Sequence, residues 1–171
     1  GFSGRFFAPS VEIRAHGKKG SAVEMILLMG IQAAGKSEFC KRRFYRTHIR
    51  LNLDMLKTRH REKILMDACI AARQPFVVDN TNPTALDRQR YIVPAQSAGF
   101  RVIGYYFQSG VGEAIARNEA REGRERVPRA AILATHKKME LPKYGEGFDA
   151  LRCVRMDGNG GFVEEEYRGG G

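Results

Sequence analysis

The sequence predicts an α/β domain, a parallel β-sheet with helices on both faces and an arginine-rich helical segment late in the chain. Three observations predict it. From Met25 onward, short apolar runs of strand length alternate with longer stretches of helical period. A glycine-bracketed loop, Gly30 to Ser37, joins the first apolar run to the first helical stretch. The chain has 171 residues, 43% of them apolar, which suits one domain. A domain of that size buries roughly 70% of its unfolded surface and needs neither disulfides nor a structural metal to hold a core.

The elements follow in order. Residues 1–23 are mixed and glycine-rich, with a possible edge strand at 11–15 and a turn at 16–21. Residues 25–29 form an apolar run of buried-strand type, and 36–46 read as a helix. Residues 48–53 alternate and read as a strand. Residues 54–73 read as one helix with Ile64, Leu65, Ala68, Cys69 and Ala72 as its apolar stripe. Pro75 breaks it. Residues 76–78 are a third strand ending at Asp79, and 84–98 are a helix with Pro94 as a candidate kink and Gly99 as its cap. A fourth strand spans 101–107 and a helix 111–122. Pro128 opens a further helix reaching about Met139. Residues 148–156 suit a last strand, and 157–171, rich in Gly and Glu, read as a flexible tail. The domain proper is therefore expected over 24–156.

Composition excludes several classes. No apolar run approaches the roughly 20 residues that span a bilayer. The first residues lack a basic start followed by an apolar core, so no secretory signal is expected and a cytoplasmic location is. Cys40, Cys69 and Cys153 are odd in number and unpaired in spacing, which argues for reduced thiols rather than a disulfide framework or zinc site. Lys and Arg number 29 against 19 Asp and Glu, a net charge of +10 that favours polyanionic partners.

Gly30-Ile31-Gln32-Ala33-Ala34-Gly35-Lys36-Ser37 matches the GxxxxGK[ST] phosphate loop, with a strand before it and a helix after it as that loop requires. Glycines let backbone amides turn onto an anion, and the first turn of the helix, with Glu38, adds its positive end. Lys36 is placed to reach the β- and γ-phosphates of ATP and Ser37 to hold Mg²⁺. Asp79 closes a strand at the same sheet edge, where a carboxylate can orient a magnesium-bound water. The motifs of guanine-nucleotide switches and transporters are absent.

In an open parallel sheet, ligands bind beyond the carboxyl ends of the strands. Asp54, at the end of the second strand, should face that crevice as the base for an attacking hydroxyl, as a helix N-cap, or as both. Arg117, Arg121, Arg124, Arg126 and Arg129, interleaved with glutamates, read as a lid closing over phosphates or as a solvated, ion-paired face. Lys57, one turn after Asp54, suits an acceptor that carries phosphate.

Together, Gly30 to Ser37, Asn52-Leu53-Asp54 with Lys57, Val78-Asp79-Asn80-Thr81-Asn82-Pro83, and Arg117-Asn118 through Arg121 to Val127-Pro128 resemble the polynucleotide 5′-kinase family over residues 25–140. The resemblance implies a P-loop phosphotransferase using ATP and Mg²⁺ on the 5′-hydroxyl of RNA or DNA. It implies Lys36, Asp54, Arg117 and Arg121 as catalytic residues, with Arg124 or Arg126 able to share the lid's task, Asp54, Lys57, Asn80 and Asn82 at the acceptor, and Ser37 and Asp79 at the metal. Lys57 stands where the family usually carries arginine, and lysine lacks the two-pronged fork. The other readings are a kinase of a small molecule or nucleotide sugar, a nucleotide-dependent binding module, and a nucleic-acid binder without turnover.

Overall fold

The computed structural model describes residues 22–169, so the edge strand and turn expected before residue 22 lie outside the described residues. The elements are β1 (Glu24–Met29), α1 (Lys36–Phe44), β2 (Ile49–Leu51), α2 (Leu53–Leu56), α3 (Arg59–Ala71), β3 (Phe76–Asp79) and α4 (Ala85–Ser97). They continue with β4 (Arg101–Phe107), α5 (Val111–Glu119), α6 (Arg129–Lys138), β5 (Ala150–Met156) and β6 (Phe162–Glu166). The sheet runs β2-β3-β1-β4-β5-β6. Its first five strands pair in parallel, and β6 is antiparallel to β5. Among the described residues no helix is long and apolar enough to cross a membrane.

The central strand explains the two-layered core. In β1, Met25, Leu27 and Met29 point to one face and Ile26 and Leu28 to the other, and all five are buried. One face packs Met66, Cys69, Tyr91 and Ile92 from α3 and α4; the other packs Phe39, Phe44, Ala114 and Ile132 from α1, α5 and α6. A strand covered on both sides has no polar face, hence the unbroken apolar run. Thr84 caps α4 in a capping box with Asp87, and α4 continues through Pro94.

Two expectations are corrected. The helix expected over 54–73 is two helices, because Lys57 adopts a left-handed φ of 72° and Thr58 recaps the chain by accepting from the Arg61 amide. The break resets the helical phase. Glu62, Met66 and Cys69 face inward, whereas Ile64 and Leu65 are exposed, and of the expected stripe only Cys69 is buried. The segment expected as a flexible tail instead turns at Asp157 and returns as β6. Asp157 accepts from the Asn159 and Gly161 amides to make the turn, and Glu164 pairs with Arg43 and Arg152. Phe162 packs edge-on against Phe39 and lies under the phosphate loop, where a Cβ on Gly35 would come within 2.9 Å of its ring.

Candidate active site

The carboxyl ends of β1, β2, β3 and β4 open on one edge of the sheet, and the loop after β1 lies at its centre. Gly30 has a φ of 152°, and a Cβ there would sit 2.9 Å from Cβ of Phe107, so the close approach to β4 requires glycine. Gly35, at φ 98°, precedes α1 without a side-chain cap, which leaves the first-turn amides of the helix facing the loop. Lys36 is 8% exposed and its Nζ donates to the carbonyls of Gly30 at 2.7 Å and Ile31 at 2.6 Å. Burial pulls its pKa down to about 8; Asp79 and Asp54 oppose that shift and Arg121 adds to it. Asp79, Arg121 and Asp54 thus each lie close enough to Lys36 to act on its charge. Glu38 is exposed on α1 and its carboxylate accepts from Arg42, so only its backbone belongs to the loop.

Ser37 donates to Oδ2 of the buried Asp79 at 2.9 Å, the pairing expected of two oxygen ligands for a hard cation. Arg50 joins them. Its Nε donates to the same oxygen at 2.8 Å and Nη2 lies 2.7 Å from it. Sequence reasoning missed Arg50; the available signal was a charged residue in the middle of the three-residue strand Ile49-Arg50-Leu51.

Asparagines join the neighbouring strand ends. Asn52 donates to the Asp79 carbonyl at 2.6 Å, and its Oδ1 accepts from the Met55 amide as the cap of α2. The cap role that Asp54 could have filled therefore falls to Asn52. Asp54 is exposed, and among the described residues its carboxylate has no hydrogen-bond or ion-pair partner within the protein. Asn80 returns the bridge: its Oδ1 accepts from the Leu53 amide at 2.9 Å, and its Nδ2 donates to Glu62 and the Tyr91 hydroxyl. Glu62 is itself 2% exposed and held by Arg59 and Tyr91. Burial and Glu62 together push the Tyr91 hydroxyl up to about 12. Asn82 is buried and donates to the Leu28 carbonyl at 2.7 Å. Asn80 and Asn82, expected at the acceptor, thus have their amides spent inside the protein. Lys57 is exposed at the end of α2.

The arginine-rich segment divides. Arg117 donates from Nε to the Ala33 carbonyl of the loop at 2.7 Å and from Nη2 to Ser109. Arg121 is half-buried and lies near enough to Lys36 to shift it, while Arg124, Arg126 and Arg129 are exposed. Asn118 closes the segment between α5 and α6, donating to the Val127 carbonyl at 2.7 Å and accepting from the Val127 amide at 2.9 Å. Gln32 ties the loop to α6 through the Thr135 hydroxyl at 3.0 Å, and its own Oε1 is buried without a partner among the described residues. Beside Arg117, a cavity of about 460 Å³ opens between Ser109, Gly110 and the β5–β6 turn at Met156 and Asp157.

Residues 56–142, just over half of the chain, match the model of the family described as AAA domain. The chain belongs to the AAA domain family. The match spans β3, Asp79 and the arginine-rich segment through α5 and α6 of this AAA domain. The chain is 27% identical over 145 residues to the bifunctional polynucleotide phosphatase/kinase of Schizosaccharomyces pombe, covering 81% of this chain and 35% of that protein. It spans about a third of the length of the curated relatives it matches. Among solved structures it resembles Kti12 of Chaetomium thermophilum in complex with ADP-AlF3, at 17% identity and a TM-score of 0.57, over 78% of this chain and 89% of that one. It also resembles a gluconokinase from Sinorhizobium meliloti, at 17% identity and a TM-score of 0.54, over 77% and 82%. At these identities the likeness is one of fold: a mostly parallel sheet flanked by helices.

Proposed function

We propose that the chain is an ATP-dependent kinase that transfers the γ-phosphoryl group to the 5′-hydroxyl of a polynucleotide. The observation that carries the reading is the exposed Asp54 carboxylate, without a partner among the described residues and close enough to the buried Lys36 to act on its charge, as Arg121 also is. The polynucleotide phosphatase/kinase relative and the +10 charge support a nucleic-acid acceptor. The cavity beside Arg117 has room for the nucleobase of the donor.

The loop amides and Lys36 would hold the β- and γ-phosphates. Ser37 and Asp79 offer hard oxygen ligands that fit Mg²⁺, which would neutralise charge on the phosphates when bound. Asp54 takes the proton of the acceptor hydroxyl as its oxygen bonds to the γ-phosphorus and the bond to the β–γ bridging oxygen breaks. Arg117 and Arg121 lie on the loop side of the lid, where they can stabilise the dispersed negative charge and exclude competing water. Lys57 would contact an acceptor phosphate as a point charge.

The test uses labelled ATP with 5′-hydroxyl oligonucleotides. Label should pass to the oligomer, and Asp54→Asn should lower transfer about 10²- to 10⁴-fold with ATP binding intact. Transfer to mononucleosides or nucleotide sugars but never to oligomers rejects the acceptor. Full activity in Asp54→Asn rejects the base.

A further inference from the structure

The Ser37–Asp79 pair already has a cation on it. Three donors converge on the Oδ2 atom of Asp79: the Ser37 hydroxyl at 2.9 Å, and Arg50 Nε at 2.8 Å and Nη2 at 2.7 Å. Nη2 also lies 3.4 Å from the Ser37 oxygen. Asp79 is 1% exposed, so solvent and salt screen this attraction poorly. A guanidinium is a planar fork of donors that suits a carboxylate. The Arg50 side chain is itself 37% exposed, and its head is not enclosed.

We infer that Arg50 is a resident counter-cation that closes the metal position to a bare divalent ion, so that the metal enters only with nucleotide. The inference rests on the reading of Ser37 and Asp79 as the metal position. A free divalent cation reaching Oδ2 must compete with a fixed positive charge for an oxygen that already accepts from the Ser37 hydroxyl and Arg50 Nε. A nucleotide changes that balance. Its phosphates bring negative charge to the adjacent loop, enough to hold a divalent ion and to offer the Arg50 fork a second partner. Arg50 therefore distinguishes a metal–nucleotide complex from the metal alone. Strand β2 carries it to this position: Arg50 pairs in register with Val77, two residues before Asp79.

Mn²⁺ binding to the full chain, followed by electron paramagnetic resonance without nucleotide, tests this directly. Arg50→Gln should bind Mn²⁺ at least about tenfold more tightly than the unaltered protein, as expected from removing a like charge a few ångströms away. Arg50→Lys, which keeps the charge but loses the fork, should fall between the two. Adding ADP should narrow the difference. Equal Mn²⁺ affinities in the unaltered protein and Arg50→Gln overturn the inference. If circular dichroism shows Arg50→Gln unfolded, Arg50→Lys carries the comparison, and affinity equal to that of the unaltered protein overturns it. Asp79→Asn separates the two levels. If it leaves Mn²⁺ binding to the ADP-loaded protein unchanged, the metal position itself is misread. If it removes that binding while Arg50→Gln matches the unaltered protein, only the role of Arg50 fails.

Discussion

Lys36 places its ammonium under the phosphate loop. It is buried with two carbonyls as its partners, and burial holds its pKa at about 8 rather than 10.5. A bound triphosphate would favour the charged form and raise that pKa. The sign follows. Below pH 7 the ammonium is charged both with and without nucleotide, and binding moves no proton. Between about pH 8 and 10.5 the free protein has lost the proton that the complex retains, so nucleotide binding takes one up and affinity falls as pH rises. Calorimetry at about pH 8.5 in two buffers of different ionisation enthalpy should show uptake of about three quarters of a proton, absent in Lys36→Met. No buffer dependence would mean that Lys36 does not titrate there. The loop around it was legible from sequence because its requirements are local: Gly30 and Gly35 each occupy a positive φ. The role of Arg50 was not legible, because nothing within β2 reveals that Asp79 lies beside it.

At the scale of elements, the crevice depends on how strand ends are tied. Asn52 reaches from β2 to the Asp79 carbonyl, and Asn80 reaches back from the end of β3 to the Leu53 amide. This reciprocal bridge sets where α2 begins and hence where Asp54 stands. Asn80→Ala should release the start of α2 and lower kcat about 10²-fold while leaving KM for ATP nearly unchanged, because displacement of a reacting group by about 1 Å costs that much. Steady-state kinetics at varied ATP checks it; an unchanged kcat removes Asn80 from any positioning role. The same element shows why one long helix was expected. Residues 54–73 have a continuous helical composition, and the break comes from the single left-handed residue Lys57, with Thr58 starting the next helix. Lysine is not a usual left-handed residue, so its type carried no signal.

At the scale of the whole molecule, Arg88 links parts that are distant in sequence. Its side chain is 0% exposed and donates to both oxygens of Glu146 and to the carbonyls of Asn82, Pro83 and Glu140. It thereby joins α4, the β3–α4 turn and the return from the lid. Arg88→Met removes one partner and leaves Glu146 and three carbonyls short of donors. The expected loss is about 3–5 kcal/mol, read as a lower midpoint in urea unfolding. A loss below about 1 kcal/mol would mean that the surroundings rearrange to satisfy these groups. The β5–β6 hairpin is a second long-range device. It places Phe162 under Gly35 and against Phe39, so the end of the chain supports the phosphate loop near its beginning.

The chain's own order of residues determined the alternating elements, the phosphate loop and the edge of the sheet where the chemistry gathers. Those follow from period, from glycine conformation and from the rule that crossovers in a parallel sheet are right-handed, all of which act over short stretches. Only the tertiary structure decided which residue takes which partner: Asn52 the cap that frees Asp54, Arg50 the carboxylate of Asp79, and Phe162–Glu166 a strand. Each of these depends on strand register and packing between residues far apart in sequence, and no local pattern encodes that.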